Sequence, residues 1–388
     1  MTPPDARSSE KPVKNPYAWW AGRAWHGMTF GVWRPLLWRH ARTIALKNYG
    51  LAATVTFASG FNSTLALAQR LFIEGRVAKT KLVDAPIFIV GHWRSGTTLL
   101  HELMVLDERF TSPTTYQCMA PDHFLASNWM LPVLPMALPS RRPMDNMAMG
   151  FSRPQEDEFA LCNMGAPSPY LHCAFPRDRA QLADYLDFAT LTPAERERWK
   201  QTLLTFLQRI TYRTPKRIVL KSPPHLARVG MLLELFPQAR FVHIVRDPGE
   251  VFSSTAKLWK TLYESHAFET PPVEGMIEQN LAWFERMYRQ FEKDRGRLPP
   301  HQLCEVRYED LLGDPLAQME RIYSQLEIGD FAEARPKIAG YFENARDYRR
   351  NPHALSAEER EQINQRWGPF MQRFGYCLEP ASASTPTS

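Results

Sequence analysis

IFIVGHWRSGTTLLHEL, residues 87–103, opens as a run of strand-forming apolar residues and closes in a helical pattern. Gly91 and Gly96 bracket four residues, which is the spacing of a phosphate-binding P-loop. The lysine that follows the second glycine in that motif is absent: Thr97 stands there, and a positive charge appears earlier, at Arg94. Backbone amides from Ser95 to Thr98, at a helix N-terminus, would converge on one concavity that favours an anion. The two glycines permit the turns and the close approach of such a cradle. In a nucleotide triphosphatase the lysine reaches the β- and γ-phosphates and the Ser/Thr holds magnesium. A loop without it is better suited to a shorter anion. A glycine turn that merely joins a strand to a helix reads the same way, so the loop alone names no ligand.

Working outward, strands alternate with helices. Pro86–Val90 reads as the strand entering the loop and Thr97–Leu106 as the helix leaving it. Thr192-Pro193-Ala194-Glu195 is a capping box with proline at the first helical position, starting a helix to about Tyr212. Arg217–Leu220, Arg240–Val245 and Leu303–Val306 read as further strands, with helices over Leu226–Phe236, Val251–Leu262 and Val273–Asp294. Ser356 and Glu359 cap a terminal helix that runs to Arg373 and stops at Gly375. This order predicts an α/β fold, a P-loop-like parallel sheet with helices on both faces, with ligands bound at the carboxyl ends of the strands. Irregular, Met- and Pro-rich sequence fills 111–180 and is expected to shape an apolar acceptor pocket.

The chain has 388 residues, 44% of them apolar, enough for a real core. A formal net charge of +6 favours anionic ligands or an anionic membrane surface; nucleic acid is not among the expected partners, and no oligomeric state is implied. Five scattered cysteines without a Cys-x-x-Cys pair argue against a disulfide framework or a zinc cluster, so a reducing, cytoplasmic setting is expected. Residues 1–15 read as a disordered lead, 16–82 as a helical N-terminal extension, 83–378 as the main domain and 379–388 as a flexible tail. No run of about twenty uncharged apolar residues is apparent, which predicts no transmembrane helix. The Trp-rich stretch 17–45, with Arg34, Arg39 and Arg42, is a candidate for contact with a membrane surface.

Two further stretches bear chemistry. ARFVHIVRDPGEVFSST (239–255) places Arg246 directly after a buried strand and Ser254 eight residues later, on the following helix. A guanidinium and a hydroxyl so placed clamp one phosphate. RIVLKSPPHL (217–226) ends a strand at Lys221 and carries His225 beyond two prolines.

Together these stretches resemble the sulfotransferases that use 3′-phosphoadenosine 5′-phosphosulfate (PAPS), most closely the bacterial branch related to the tyrosylprotein type. The resemblance covers about residues 83–376. It implies that Arg94-Ser95-Gly96-Thr97-Thr98 holds the 5′-phosphosulfate and that Arg246 and Ser254 hold the 3′-phosphate. EVRYEDLLGDP (305–315) is similar to the family's Tyr-Glu-Asp stretch, which places Tyr308 near the adenine. RRNPHALS (349–356) corresponds to the segment that closes over the 3′-phosphate, with Arg349 and Arg350 as weaker contacts. The glycine-rich form of that segment known in cytosolic members is absent.

The function so implied is in-line transfer of a sulfuryl group from PAPS to a hydroxyl of a small-molecule, lipid or glycan acceptor, with a general base and without a metal. Arg94 and Lys221 are suited to stabilise charge on the departing phosphate. His225 is the first choice as base, since an unperturbed imidazole titrates near working pH. Cytosolic members also place a lysine and their histidine close together, but in the form Lys-Thr-His rather than Lys-Ser-Pro-Pro-His. Glu156 and Asp157, in SRPQEDEFAL (152–161), are alternatives; with Glu158 they form an acidic triplet of which at most two members would share an inward helix face. The glutamate base of tyrosylprotein members is not inherited, because this chain has Thr114-Thr115-Tyr116 at its place. His123 is a further candidate in the expected pocket, whereas His101 is expected to pack. Two other readings compete: a nucleotide kinase or ATPase with a degenerate loop, using Asp247 on magnesium, and a catalytically inactive membrane-peripheral binding protein.

Overall fold

Side chains alternate along the central strands, and that alternation sets the layers. In the computed structural model, which describes residues 22–132, 150–272, 274–344 and 355–378, the strands are β1 (Ile87–Val90), β2 (Phe110–Thr111), β3 (Arg217–Lys221), β4 (Arg240–Val245) and β5 (Leu303–Arg307). They form one sheet ordered β2-β3-β1-β4-β5, parallel throughout. Ile89 lies opposite Lys221, and Val90 opposite His243. Phe88, Val90, Leu220 and Phe241 enter one hydrophobic cluster, while Ile87, Ile89, Val219 and Val242 enter another on the opposite face. The lead 1–15, most of the proline-rich run 131–143, Arg349, Arg350 and the tail 379–388 lie outside the described residues.

The principal helices are α1 (Phe30–His40), α2 (Tyr49–Phe72), α3 (Thr97–Met104), α4 (Asp157–Asn163), α5 (Pro193–Arg213), α6 (Val229–Leu235), α7 (Pro248–His266), α8 (Met276–Arg295), α9 (Pro315–Leu326) and α10 (Ala357–Phe374). Helices α3 and α9 cover one face of the sheet; α5, α6, α7, α8 and α10 cover the other. Both expected capping boxes are present, Thr192 with Glu195 and Ser356 with Glu359, and Gly375 ends α10 at φ 69°. Helix α7 is longer than expected at both ends. Asp247 accepts from the Glu250 amide at 2.9 Å and Pro248 occupies the first turn, so the helix starts directly after β4.

Between residues 22 and 73 the structure adds what the sequence pattern hid. Helix α2 is long and apolar enough to cross a membrane by length and composition, in an uncharged run from Asn48 to Gln69. Its many Gly, Ala, Ser and Thr residues dilute the apolar pattern, which is why the run escapes a count of large hydrophobic residues. The tryptophans also divide. Trp25 and Trp33 are buried in the main cluster, the first donating to the His266 carbonyl at 2.8 Å and the second packing on Phe268, so they do not form a membrane-facing surface. Trp38 remains exposed.

Candidate active site

The carboxyl ends of β1, β3, β4 and β5 carry the glycine loop, Lys221, Arg246 and Tyr308 respectively. In the loop, Arg94 adopts φ 68°, a left-handed conformation uncommon for a residue with a side chain. Ser95 Oγ donates to the His92 carbonyl at 2.8 Å and ties the turn. Gly96, at φ 98°, is the N-cap of α3; a Cβ there would run into the Tyr308 ring. With no side chain capping α3, the first-turn amides from Thr97 onward are available to an anion.

Arg94 donates from Nε to Ser254 Oγ at 2.8 Å. Arg246 donates to the Arg94 carbonyl at 3.1 Å and to Glu250 Oε2 at 3.1 Å, and its guanidinium lies 4.6 Å from the Tyr308 ring centre. Arg94, Arg246, Ser254 and Tyr308, drawn from three stretches, therefore form one basic, partly open cradle. Asp247 belongs to the cap of α7, and its own amide donates to Glu309 at 3.1 Å, which explains it without magnesium.

A second construction joins residues some 65 positions apart. Lys221 Nζ donates to Glu156 Oε1 at 2.5 Å; Ser222 Oγ and His225 Nε2 donate to the two oxygens of Asp157, each at 2.7 Å; Arg228 Nη1 donates to Glu158 Oε2 at 2.6 Å. Three consecutive acids thus meet cations and an imidazole spaced from the end of β3 into the segment that follows it. All three acids point inward, contrary to the helical-face argument. Glu156 is the extended N-cap of α4, not part of its helical face, and its backbone at ψ 124° sends the side chain a different way. Burial works to raise the Asp157 pKa, but the His225 charge and the hydrogen bonds from His225 and Ser222 bring it below the ordinary carboxylate range.

Of these acids only Glu156 reaches open space. It lines a cleft, together with Trp93 of the glycine loop, Thr115, Phe159, Tyr170 and Trp259. Tyr170 donates its hydroxyl to Glu156 Oε2 and receives the Trp93 indole N–H at 3.2 Å. Burial first, and then the Glu156 charge, push the Tyr170 pKa well above its ordinary value, so the phenol stays a donor. Lys221, almost fully buried, shares its ion pair with a carboxylate at the cleft wall. Trp93 and Tyr170 were not singled out from sequence: aromatic residues in apolar company carry no signal until the fold brings them to a carboxylate.

Two histidine expectations meet a different environment. His225 is fully buried, its ring edge-on to Phe88 and Trp199, with Nε2 committed to Asp157; it is not among the residues lining the cleft. His123, expected in the acceptor pocket, instead contacts Ser127 Oγ at 2.8 Å and Asn62 Oδ1 at 3.2 Å, and burial lowers its pKa to about 4. It helps fasten α2 to the core. His101 is buried, as expected.

The sulfotransferase family model matches residues 86–333, which span every strand of the sheet and both halves of the site. Omega-hydroxy-beta-dihydromenaquinone-9 sulfotransferase Stf3 of Mycobacterium bovis and its counterpart in Mycobacterium tuberculosis are each 43% identical to this chain over 357 residues, covering 92% of both chains. In fold, the chain is similar to the sulfotransferase STF9 of Mycobacterium avium, with a TM-score of 0.67 at 16% identity over 91% of this chain and 98% of the other. Sulfotransferase STF1 of Mycobacterium tuberculosis superposes with a TM-score of 0.57 at 16% identity, over 89% and 94% of the respective chains. A basic cradle beside an acid-walled apolar cleft, on a P-loop-like sheet matched along nearly its whole length, makes the assignment plain: this chain belongs to the sulfotransferase family and is an enzyme that transfers sulfuryl groups.

Proposed function

We propose that the enzyme moves the sulfuryl group of PAPS onto the terminal hydroxyl of an apolar isoprenoid quinone, the class of acceptor in the names of its 43% identical relatives. The observation that carries this reading is the position of Glu156: a carboxylate in an aromatic cleft, held by Lys221 on one oxygen and by Tyr170 on the other, with the glycine-loop residue Trp93 in the same wall. An apolar cleft with a few convergent polar groups suits a lipid hydroxyl better than a sugar.

In this reading the first-turn amides of α3, from Thr97 onward, hold the 5′-phosphosulfate, with the Ser95 amide bonded to the His92 carbonyl at 3.2 Å within the turn; Arg246 and Ser254 hold the 3′-phosphate, and Tyr308 lies on the adenine side. Glu156 takes the proton of the acceptor hydroxyl as its oxygen bonds to sulfur. The bond between sulfur and the bridging phosphate oxygen breaks, and that oxygen keeps both electrons. Lys221 and Arg94 meet the charge that gathers there. Glu156 replaces His225 as the base because the imidazole is sealed in the core, where it positions Asp157 and the start of α4. The five free cysteines, four of them buried, suit a reducing, cytoplasmic setting.

The test is release of 3′-phosphoadenosine 5′-phosphate (PAP) from PAPS with a terminally hydroxylated isoprenoid quinone, set against a panel of sugars and simple phenols. Turnover that depends on the quinone supports the proposal. Turnover only with sugars would overturn the acceptor, and a requirement for ATP and magnesium would overturn the donor.

A further inference from the structure

We infer that α2 and the exposed end of α1 form a docking face for an anionic lipid bilayer, with α2 lying along the surface and not through it. The inference goes beyond the proposed reaction and deepens one part of it, the delivery of a lipid acceptor.

The face has two halves. Along one side of α2, Ala52, Val55, Ser59, Asn62 and Gln69 are buried. Asn62 donates to the His26 and Met28 carbonyls at 2.6 and 3.0 Å; Gln69 Oε1 accepts from the Leu125 and Ala126 amides at 3.0 and 3.3 Å; Thr56 accepts from the Trp33 indole at 2.8 Å. These bonds fasten α2 lengthwise to the protein over most of its length, so a membrane-crossing pose would strip polar partners along the whole helix. On the other side, Phe57, Leu71 and Phe72 are 82%, 68% and 75% exposed, continued by Leu46 and, on α1, by Trp38 at 87%. A monomeric surface rarely spends large apolar side chains in this way.

Charge selects the occupant. From Gly22 to Ile73 there is no Asp or Glu, and Arg34, Arg42, Lys47 and Arg70 are exposed cations; Arg23 is buried and Arg39 is paired with Asp178 at 3.4 Å. Arg34 and Trp38 share a face of α1 by their spacing of four, and Arg34 and, just past the helix end, Arg42 are exposed. Exposed aromatics fringed by exposed cations fit an anionic headgroup layer. The face also adjoins the chemistry. Gly22 and Ala24, at the base of the same segment, line the cleft that holds Glu156, and the turn Ala24–Gly27 packs on α2. A quinone held in the bilayer could pass its hydroxylated end along this turn to the carboxylate.

The test is sedimentation of the full chain with vesicles of mixed phosphatidylglycerol and phosphatidylcholine, against phosphatidylcholine alone. The wild type should bind the mixed vesicles, less at high salt, and Phe57→Glu combined with Phe72→Glu should weaken binding by about tenfold or more. An unchanged melting temperature shows that the variant folds. Equal binding by variant and wild type, or no binding by the wild type, overturns the inference. A dimer seen in sedimentation velocity and broken by the same substitutions, without vesicle binding, would replace the membrane with a second copy of the chain. None of these readouts uses turnover, so they stand or fall separately from the donor and acceptor assignments. As a separate arm, the variant should keep PAP release with a short, water-soluble acceptor and lose it with a vesicle-embedded quinone.

Discussion

Around the glycine loop, the charged groups are basic, partly open and held by light contacts: a serine hydroxyl on Arg94, a carbonyl and one glutamate on Arg246. Along the Glu156–Glu158 ladder, the charges are opposite, matched and mostly sealed, with Glu158 and Arg228 fully buried and Arg228 also stacked 4.1 Å from the Phe188 ring centre. The difference follows from what each region must meet. A cradle for a multiply charged anion needs surplus positive charge and room, because its partner arrives from solvent. A carboxylate at a cleft wall is held still by partners on both oxygens, and a buried charge persists only when its partner is built in. Glu156 is the one place where the ladder touches the cleft, and there the match is shared between a lysine and a phenol.

Four substitutions sharpen or break this contrast. Glu156→Gln keeps shape and removes the base; transfer should fall about 10²- to 10⁴-fold in kcat while PAP affinity, measured calorimetrically, changes little. A parallel loss of PAP affinity would mean that the two regions are not separate. Arg228→Met leaves Glu158 charged and unpaired in the core, and denaturant unfolding should show a loss of about 3–5 kcal/mol. Stability within experimental error of the wild type would remove the ladder's structural role. Arg246→Ala should weaken PAP binding about 10- to 100-fold, as expected for charge-assisted hydrogen bonds, with little change in unfolding.

The smallest effect concerns pH. The folded pKa of Asp157 lies below its ordinary value, so its contribution to stability is complete above the ordinary carboxylate range. That contribution is lost as pH falls through this range towards the depressed value. Asp157→Asn should therefore flatten the acid limb of the melting-temperature profile and cost about 1–3 kcal/mol near neutrality. An acid limb identical to that of the wild type would show that the pair carries no such linkage.

Much of the cradle was legible before the fold was known. Arg94 to Thr98 lie in one strand-to-helix loop, and Arg246 and Ser254 lie eight residues apart across another, so local geometry forms each half, and the parallel pairing of β1 with β4 sets the two side by side. The same holds for the capping boxes at Thr192 and Ser356, which are complete within four residues. The ladder was not legible. Lys221 and His225 were noticed, and so was the acidic triplet, but nothing in either stretch says that the one is the other's partner. Ordinary imidazole chemistry points to His225 as base; its burial is what the structure adds, and no short window reveals it. Helix α2 escaped for a different reason: its small and hydroxylated residues pack one side and hide how apolar the other is.

The sequence by itself determined the strand–loop–helix frame, the helix caps and the class of chemistry, because each is carried by motifs of near neighbours in the chain. Tertiary structure decided which carboxylate faces the cleft, which histidines are sealed, and that α2 turns its phenylalanines outward. Those outcomes depend on how β3, α4 and the N-terminal helices come together across gaps of 61 to 68 residues, where burial and partner geometry, not spacing, set what a charged group can do.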